Sequence, residues 1–285
     1  MYIRRLRHNP IIKPNMDSRM GSNINGPSLI RLPEWIPNPL GRYYLYFAHH
    51  KGDYIRLAYA NKLEGPWAVY EPGTLQLNES YFSSHIASPD VHVDYENRQI
   101  RMYYHGVVEG KGQMTRVALS PDGLHFAVQE ELLGVSYFRV FRWNEWWYAL
   151  GMPGIFYRSK DGLSNFEQGP KLFKDNMRHT ALKLDSSTLL VFYTNVGDCP
   201  ERILLSTIDL TPDWRQWKAS EPVTVLEPET EWEGANLPLE HSVRGWAPEP
   251  VRQLRDPAIF QEDGRTYLLY SVAGERGIAI AEILE

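Results

Sequence analysis

The segment Ser88-Pro89-Asp90-Val91-His92-Val93, then Ile100-Arg101-Met102-Tyr103-Tyr104, then Thr115-Arg116-Val117-Ala118 decides the fold. It is an apolar run, a turn, an aromatic-rich strand, a gap and a third short strand, and it recurs five times. The aromatic strands are Tyr43–Phe47, Ile100–Tyr104, Trp146–Leu150, Leu189–Tyr193 and Tyr267–Ser271. Each is followed by a partner, such as Ile55–Ala58, Ile155–Arg158, Ile203–Ser206 or Gly277–Ile280. A repeat of this length built only of short strands predicts radially stacked blades. The reading is all-β: a five-bladed β-propeller with four-stranded antiparallel blades, starting near residues 24, 88, 137, 178 and 255. No linker interrupts the repeat, so residues 1–285 are expected to form a single domain.

The chain stops just after the third strand of blade five, while Met1 to about Pro14 precede blade one. The N-terminal stretch is therefore expected to supply the missing outer strand and close the ring. The repeated turns Ser120-Pro121-Asp122-Gly123 and Ser159-Lys160-Asp161-Gly162 use Asp-Gly for a left-handed position, so Asp122 and Asp161 read as structural.

Composition narrows the function. Net charge is −5, with 13% aromatic and 23% charged residues, which offers no basic field for nucleic acid and no polybasic membrane patch. No apolar run approaches the ~20 residues of a membrane-spanning helix. The single Cys199 fits a reducing compartment, and no apolar stretch follows the basic start of the chain. A cytoplasmic location is expected, with secretion open if a leader has been removed. No cofactor is implied, and oligomeric state is left open.

In a propeller, function gathers where the innermost strand of each blade begins. Blade openings here carry Gly26-Pro27-Ser28, Ser88-Pro89-Asp90, Tyr137-Phe138-Arg139, Arg178-His179-Thr180 and Arg255-Asp256-Pro257. Asp90 and Asp256 are the candidate catalytic carboxylates, expected to face one pocket from blades on either side of blade one. Successive aromatic strands start about 57, 46 and 43 residues apart, then about 78. The excess, within Lys218–Leu254, reads as a pocket-covering loop with Glu240 as a third carboxylate, Glu233 as second choice and Trp232 as a substrate-stacking ring. Trp67 and Trp246 are further stacking candidates, and Asp17 and Glu275 are lesser acidic ones.

His49, His50, His85, His105 and His179 form a second constellation. Ends of second strands and starts of first strands are expected at different rims, so only some of these share a site. His49, His85, His105 and His179 are read as substrate-binding. No pair has a specific metal-ligand spacing, so no metal site is assigned. Arg139, Arg178 and Arg255, at three of five openings, suggest an anionic group on the substrate; equally, Arg255 could pair with Asp256.

The openings at Ser88-Pro89-Asp90-Val91 and Arg255-Asp256-Pro257-Ala258 resemble those of the five-bladed propeller glycoside hydrolases: the family 43 arabinanases and xylosidases, with the related invertases and mannoside phosphorylases. The resemblance implies an oligosaccharide substrate and acidic residues flanking the scissile bond. It matches Asp90 to the second-blade aspartate that tunes the acid and places Asp256 in an invertase-like Arg-Asp-Pro motif. The blade-one aspartate that acts as base in family 43 is replaced here by Gly26. The expected activity is exo-acting, inverting hydrolysis of a terminal sugar. The alternatives are a lyase or phosphorylase that uses the His and Arg residues, or a glycan-binding propeller without catalysis.

Overall fold

The computed structural model describes residues 1–284. The chain begins with β1 (Tyr2–Arg5). Blade I is β2 (Asn25–Arg31), β3 (Tyr43–Ala48), β4 (Tyr54–Ala60) and β5 (Ala68–Gln76). Blade II is β6 (Ile86–Asp94), β7 (Gln99–Val108) and β8 (Gly112–Ser120), its outer edge shared by β9 (Ala127–Val128) and β10 (Gly134–Val135). Blade III is β11 (Arg139–Trp143), β12 (Trp146–Gly151), β13 (Ile155–Ser159) and β14 (Glu167–Lys171). Blade IV is β15 (Met177–Asp185), β16 (Thr188–Asn195), β17 (Ile203–Asp209) and β18 (Val223–Leu226). Blade V is β19 (Arg255–Glu262), β20 (Arg265–Ser271) and β21 (Ile278–Leu284), completed by β1. Every blade is antiparallel, as expected.

β1 pairs with β21 from Tyr2↔Leu284 to Arg5↔Ala281. This closes the ring with the N-terminal strand and covers an edge that would otherwise expose unpaired backbone groups. Arg5 anchors the closure by donating from Nε to the buried Glu233 at 2.8 Å, and Tyr270 Oη donates to the same oxygen at 2.9 Å.

The aromatic strands supply the packing between blades. Tyr44, Tyr46 and Leu57 of blade I meet Met102 and Tyr104 of blade II. Leu45 and Phe47, on the opposite face of the same strand, meet Leu269, Ile278 and Ile280 of blade V. This is the period-two alternation of a strand buried on both faces. The buried tyrosines also explain the repeated Asp-Gly turns. Tyr46 Oη donates to the Gly123 carbonyl at 2.8 Å, and Tyr103 Oη to the Gly162 carbonyl at 2.7 Å. Each ring thus enters the core without an unsatisfied hydroxyl. Asp122 and Asp161 accept backbone N–H groups within their own turns, the structural role expected of them.

One backbone device sets the geometry of the axis. Gly26, Ser88, Tyr137, His179 and Asp256, one per blade, all have positive φ, between 47° and 65°. In blades I, II, IV and V the register jumps across this residue, from Asn25 to Ser28, Ala87 to Asp90, Arg178 to Ala181 and Arg255 to Ala258. Two residues there oppose one, a bulge that re-aims a side chain. The bulge also accommodates Pro27, Pro89 and Pro257, which have no N–H to give to the ladder.

Candidate functional site

The innermost strands run the same way along the axis and leave an opening at each end. The near mouth, a cavity of about 290 Å³, is lined by residues at and before the bulges, including Asn25, Ser88, His179 and Asp256. The far mouth, about 430 Å³, is lined by residues beyond the bulges, Ser28–Arg31, Asp90–Val93 and Ala258–Asp263.

This division corrects the expectation that Asp90 and Asp256 share a pocket. Asp256 is the bulge residue of blade V and lines the near mouth. Asp90 lies past the bulge of blade II, in register with Ser28 and Ala258, and lines the far mouth. Two residues of strand separate the two positions, a rise of about 7 Å. One Asp90 oxygen accepts both the Val140 N–H and His92 Nε2, each at 2.8 Å. Burial would raise its pKa, but the His92 charge and hydrogen bond, the Arg139 charge and the Val140 N–H together hold it below the usual carboxylate value.

Asp256 is in a different state. Its side chain is buried, and Oδ1 accepts a hydrogen bond from Tyr137 Oη at 2.8 Å, with His179 Nε2 3.7 Å away. Burial, reinforced by the negative charge of Glu275, pushes its pKa up to about 6, against the opposing influence of Tyr137, Arg255 and Arg178. The carboxyl is therefore poised to give up a proton near neutral pH.

The histidines converge further than expected. An antiparallel neighbour brings the end of a second strand beside the start of a first, as Ala87↔His105 and Asn25↔Ala48 show. His50, His85, His105 and His179 therefore line the same mouth. Burial, with the positive charges around them, keeps His105 and His179 well below their ordinary pKa, and hence neutral. Tyr137 lies between them, its ring 6.0 Å from His105 and 5.4 Å from His179. His105 Nδ1 is buried without a hydrogen-bond partner among the described residues.

Beneath the mouth lies an ionic floor. Arg178 donates from Nε and Nη2 to Glu201 at 2.9 and 2.5 Å, and Arg255 Nη1 to Glu275 at 3.0 Å. Arg255 Nε also lies 3.4 Å from Glu201, so Arg255 pairs with these two glutamates rather than with Asp256. Arg178 lines the mouth, whereas Arg255 is buried below it. Arg139 is buried on the far side, lining the far mouth and donating to the carbonyls of Thr180 and Ser88. The three arginines thus do not form one cluster facing a substrate.

The long loop does reach the near mouth, but through residues other than those expected. Arg244 and Gly245 line it, and the Gly245 carbonyl accepts hydrogen bonds from Arg178 and Arg255 at 3.3 and 3.2 Å. Glu240 is exposed and lines neither mouth. Glu233 is fully buried and accepts from Arg5 and Tyr270, which makes it structural. Trp232 packs on the core below the loop, and Trp67 is buried with its N–H on the Leu63 carbonyl, so neither presents a face to a sugar. Trp246 is partly exposed, with the His49 ring 6.5 Å away and Lys51 Nζ 4.9 Å from its centroid. His49 is therefore beside the loop tip rather than in the mouth lining. Asp17 caps its own turn through the Arg19 and Met20 N–H groups.

The sequence reading did not place Tyr137 at the mouth, and it named His50 in the histidine constellation without counting it as substrate-binding. A signal for Tyr137 was present: it occupies the blade-opening position that Asp256 and His179 occupy in their own blades.

The fold is a five-bladed propeller, an architecture also seen in solved glycoside hydrolases of family 43. Among solved structures it is similar to CoXyl43, a family 43 β-xylosidase/α-arabinofuranosidase from a compost microbial metagenome, at 14% identity and TM-score 0.64, covering 99% of this chain and 96% of that one. It is likewise similar to a GH43_1 enzyme from Xanthomonas citri (11%, TM-score 0.64, 96% and 91%) and to an α-L-arabinofuranosidase from Lactobacillus brevis (12%, TM-score 0.61, 99% and 93%). No family model matches the sequence. The chain belongs to the same family as "Uncharacterized protein R118" of Acanthamoeba polyphaga mimivirus, to which it is 37% identical over 297 residues, 92% of this chain and 83% of that protein.

Proposed function

We propose that the chain cleaves a glycosidic bond at the end of an oligosaccharide held in the near mouth, with Asp256 as the general acid. The observation that carries this reading is the Asp256 carboxyl, buried, hydrogen-bonded by Tyr137 and raised to about 6, in a cavity the size of one or two sugar rings. A cavity bounded below by the ionic floor and at one side by Gly245 suits a chain end, hence exo-action. The fold agrees with this reading, since CoXyl43 and a GH43_1 enzyme from Xanthomonas citri are both described in complex with xylotriose. Asp256 is the sole carboxylate among the near-mouth lining residues, so the attacking water is activated by another kind of group. We expect a single displacement with inversion.

The test is incubation with para-nitrophenyl β-D-xyloside, para-nitrophenyl α-L-arabinofuranoside and a wider panel of oligosaccharides, with proton NMR reading the first-formed anomer. Turnover that disappears in Asp256→Asn supports the reading; turnover that survives it refutes the assignment. A second reading, β-elimination from a uronate, is favoured by Tyr137 between two neutral histidines beside Arg178. An unsaturated product absorbing in the ultraviolet identifies it.

A further inference from the structure

We propose that His50, oriented by Glu275, is the general base of the near mouth, doing from blade I what a second carboxylate would otherwise do. This rests on the reading of Asp256 as the acid. His50 lies just past β3 at the near end of blade I, the blade whose bulge position is the side-chain-free Gly26. Its ring lines the mouth while Nδ1 lies 3.3 Å from Glu275 Oε1. Glu275 is buried and arrives from the loop between β20 and β21.

The pair is held on both sides. Asn23 accepts the His50 backbone N–H through Oδ1 at 2.8 Å and donates from Nδ2 to Glu275 Oε2 at 2.5 Å. Arg255 donates to Glu275 Oε1 at 3.0 Å. Burial alone would raise the Glu275 carboxyl, but His50, Arg255 and Asn23 hold it down to about 2, so it is ionised throughout the physiological range. An ionised carboxylate at Nδ1 fixes the neutral imidazole with its proton on Nδ1 and its lone pair on Nε2. Nε2 has no hydrogen-bond partner among the described residues. A base held by a third, charged group is the arrangement that proton abstraction requires.

The other candidates for the base are occupied. The Asp90 carboxylate faces the far mouth, and Glu201 is bound to Arg178. His85, His105 and His179 line the same mouth, but among the described residues none has a carboxylate oxygen within 3.5 Å of its ring, the nearest being Asp256 Oδ1 at 3.7 Å from His179 Nε2.

The step balances. Nε2 takes a proton from water as the water oxygen bonds to the anomeric carbon. The bond to the leaving oxygen breaks with its electron pair, and that oxygen takes the Asp256 proton. The products are the sugar, the shortened oligosaccharide, an Asp256 carboxylate and a His50 imidazolium beside Glu275. Solvent then carries one proton from His50 back to Asp256.

The test compares para-nitrophenyl with dinitrophenyl glycosides of the same sugar. His50→Ala is expected to lower kcat by about 10²–10⁴-fold for both leaving groups and to remove the acid limb of the pH profile, with added imidazole restoring part of the rate. Asp256→Asn is expected to spare the dinitrophenyl substrate, which needs no acid. Histidine ¹⁵N NMR of the wild-type chain is expected to show His50 as the Nδ1–H tautomer. A His50→Ala variant that keeps the wild-type rate and profile while Asp256→Asn loses the para-nitrophenyl reaction overturns the base and leaves the acid standing. An Nε2–H tautomer, or a His50→Ala loss confined to the poorer leaving group, also overturns it. Full turnover in both variants removes the acid and base roles together.

Discussion

Asp256 and Asp90 belong to nearly the same tripeptide, yet they are opposite in chemistry. Asp256 precedes its proline, occupies the left-handed bulge and is raised to about 6 between Tyr137 and His179. Asp90 comes after its proline, lies one pleat deeper and is held ionised by His92 and Val140. Two residues of register decide which end of the axis a carboxylate serves and whether it keeps its proton. Motif similarity at a blade opening is therefore meaningful only once the bulge has been located.

The largest effect expected from this contrast is on turnover. Asp256→Asn should cost about 10²–10⁴-fold in kcat, whereas Asp90→Asn should leave the reaction running. Steady-state rates of the two variants on one glycoside would break the comparison if the losses were reversed. Next is the floor that only the near mouth possesses. Glu201→Gln leaves the buried Arg178 and Arg255 short of a countercharge and should destabilise the fold by about 3–5 kcal/mol in urea unfolding.

The two aspartates should also give stability opposite pH dependences. The folded pKa of Asp256 lies above its ordinary value, so its contribution is complete below about pH 4 and is lost as pH rises through about 6. Asp256→Asn should abolish that loss, a gain of at most about 3 kcal/mol at neutral pH. The folded pKa of Asp90 is depressed, so its contribution is present above the ordinary value and disappears on acidification. Melting temperatures of the two variants across pH 3–8 would show the opposite slopes. The smallest effect is at Gly26, where an added Cβ would lie 3.0 Å from Ser88 Cα at a φ of +60°. Gly26→Ala should cost about 1–2 kcal/mol in urea unfolding while leaving both aspartates in place.

The fold was legible because its signals are local and repeated: aromatic strands, Asp-Gly turns, and a first segment left over to complete the last blade. Asp256, Arg178 and His179, at blade openings, and His85, just before one, were legible for the same reason, whereas His105 stands near the end of a second strand, a place expected at a different rim. Asp90 was misplaced because the two openings were matched on aspartate; aligned on Pro89 and Pro257 they differ by two residues. Glu201 gave no such signal and Glu275 only a weak one as a lesser acidic candidate, since each lies in a loop whose position depends on distant packing. Loop length likewise marked Lys218–Leu254 as reaching the site, but the contact is made by the Gly245 carbonyl, and a backbone atom leaves no trace in residue chemistry. Glu240 and Trp232 had suitable side chains in the wrong part of that loop.

The pairing of Tyr2 with Leu284 has a consequence for how the molecule assembles. β1 and β21 stand at opposite ends of the strand order, so β1 stays unpartnered until the fifth blade has its last strand. Its final docking joins segments nearly the full chain apart, the kind of contact whose entropy makes folding slow. A truncation that removes Tyr2–Arg5 would therefore leave the edge of β21 unpaired and the buried Glu233 without Arg5.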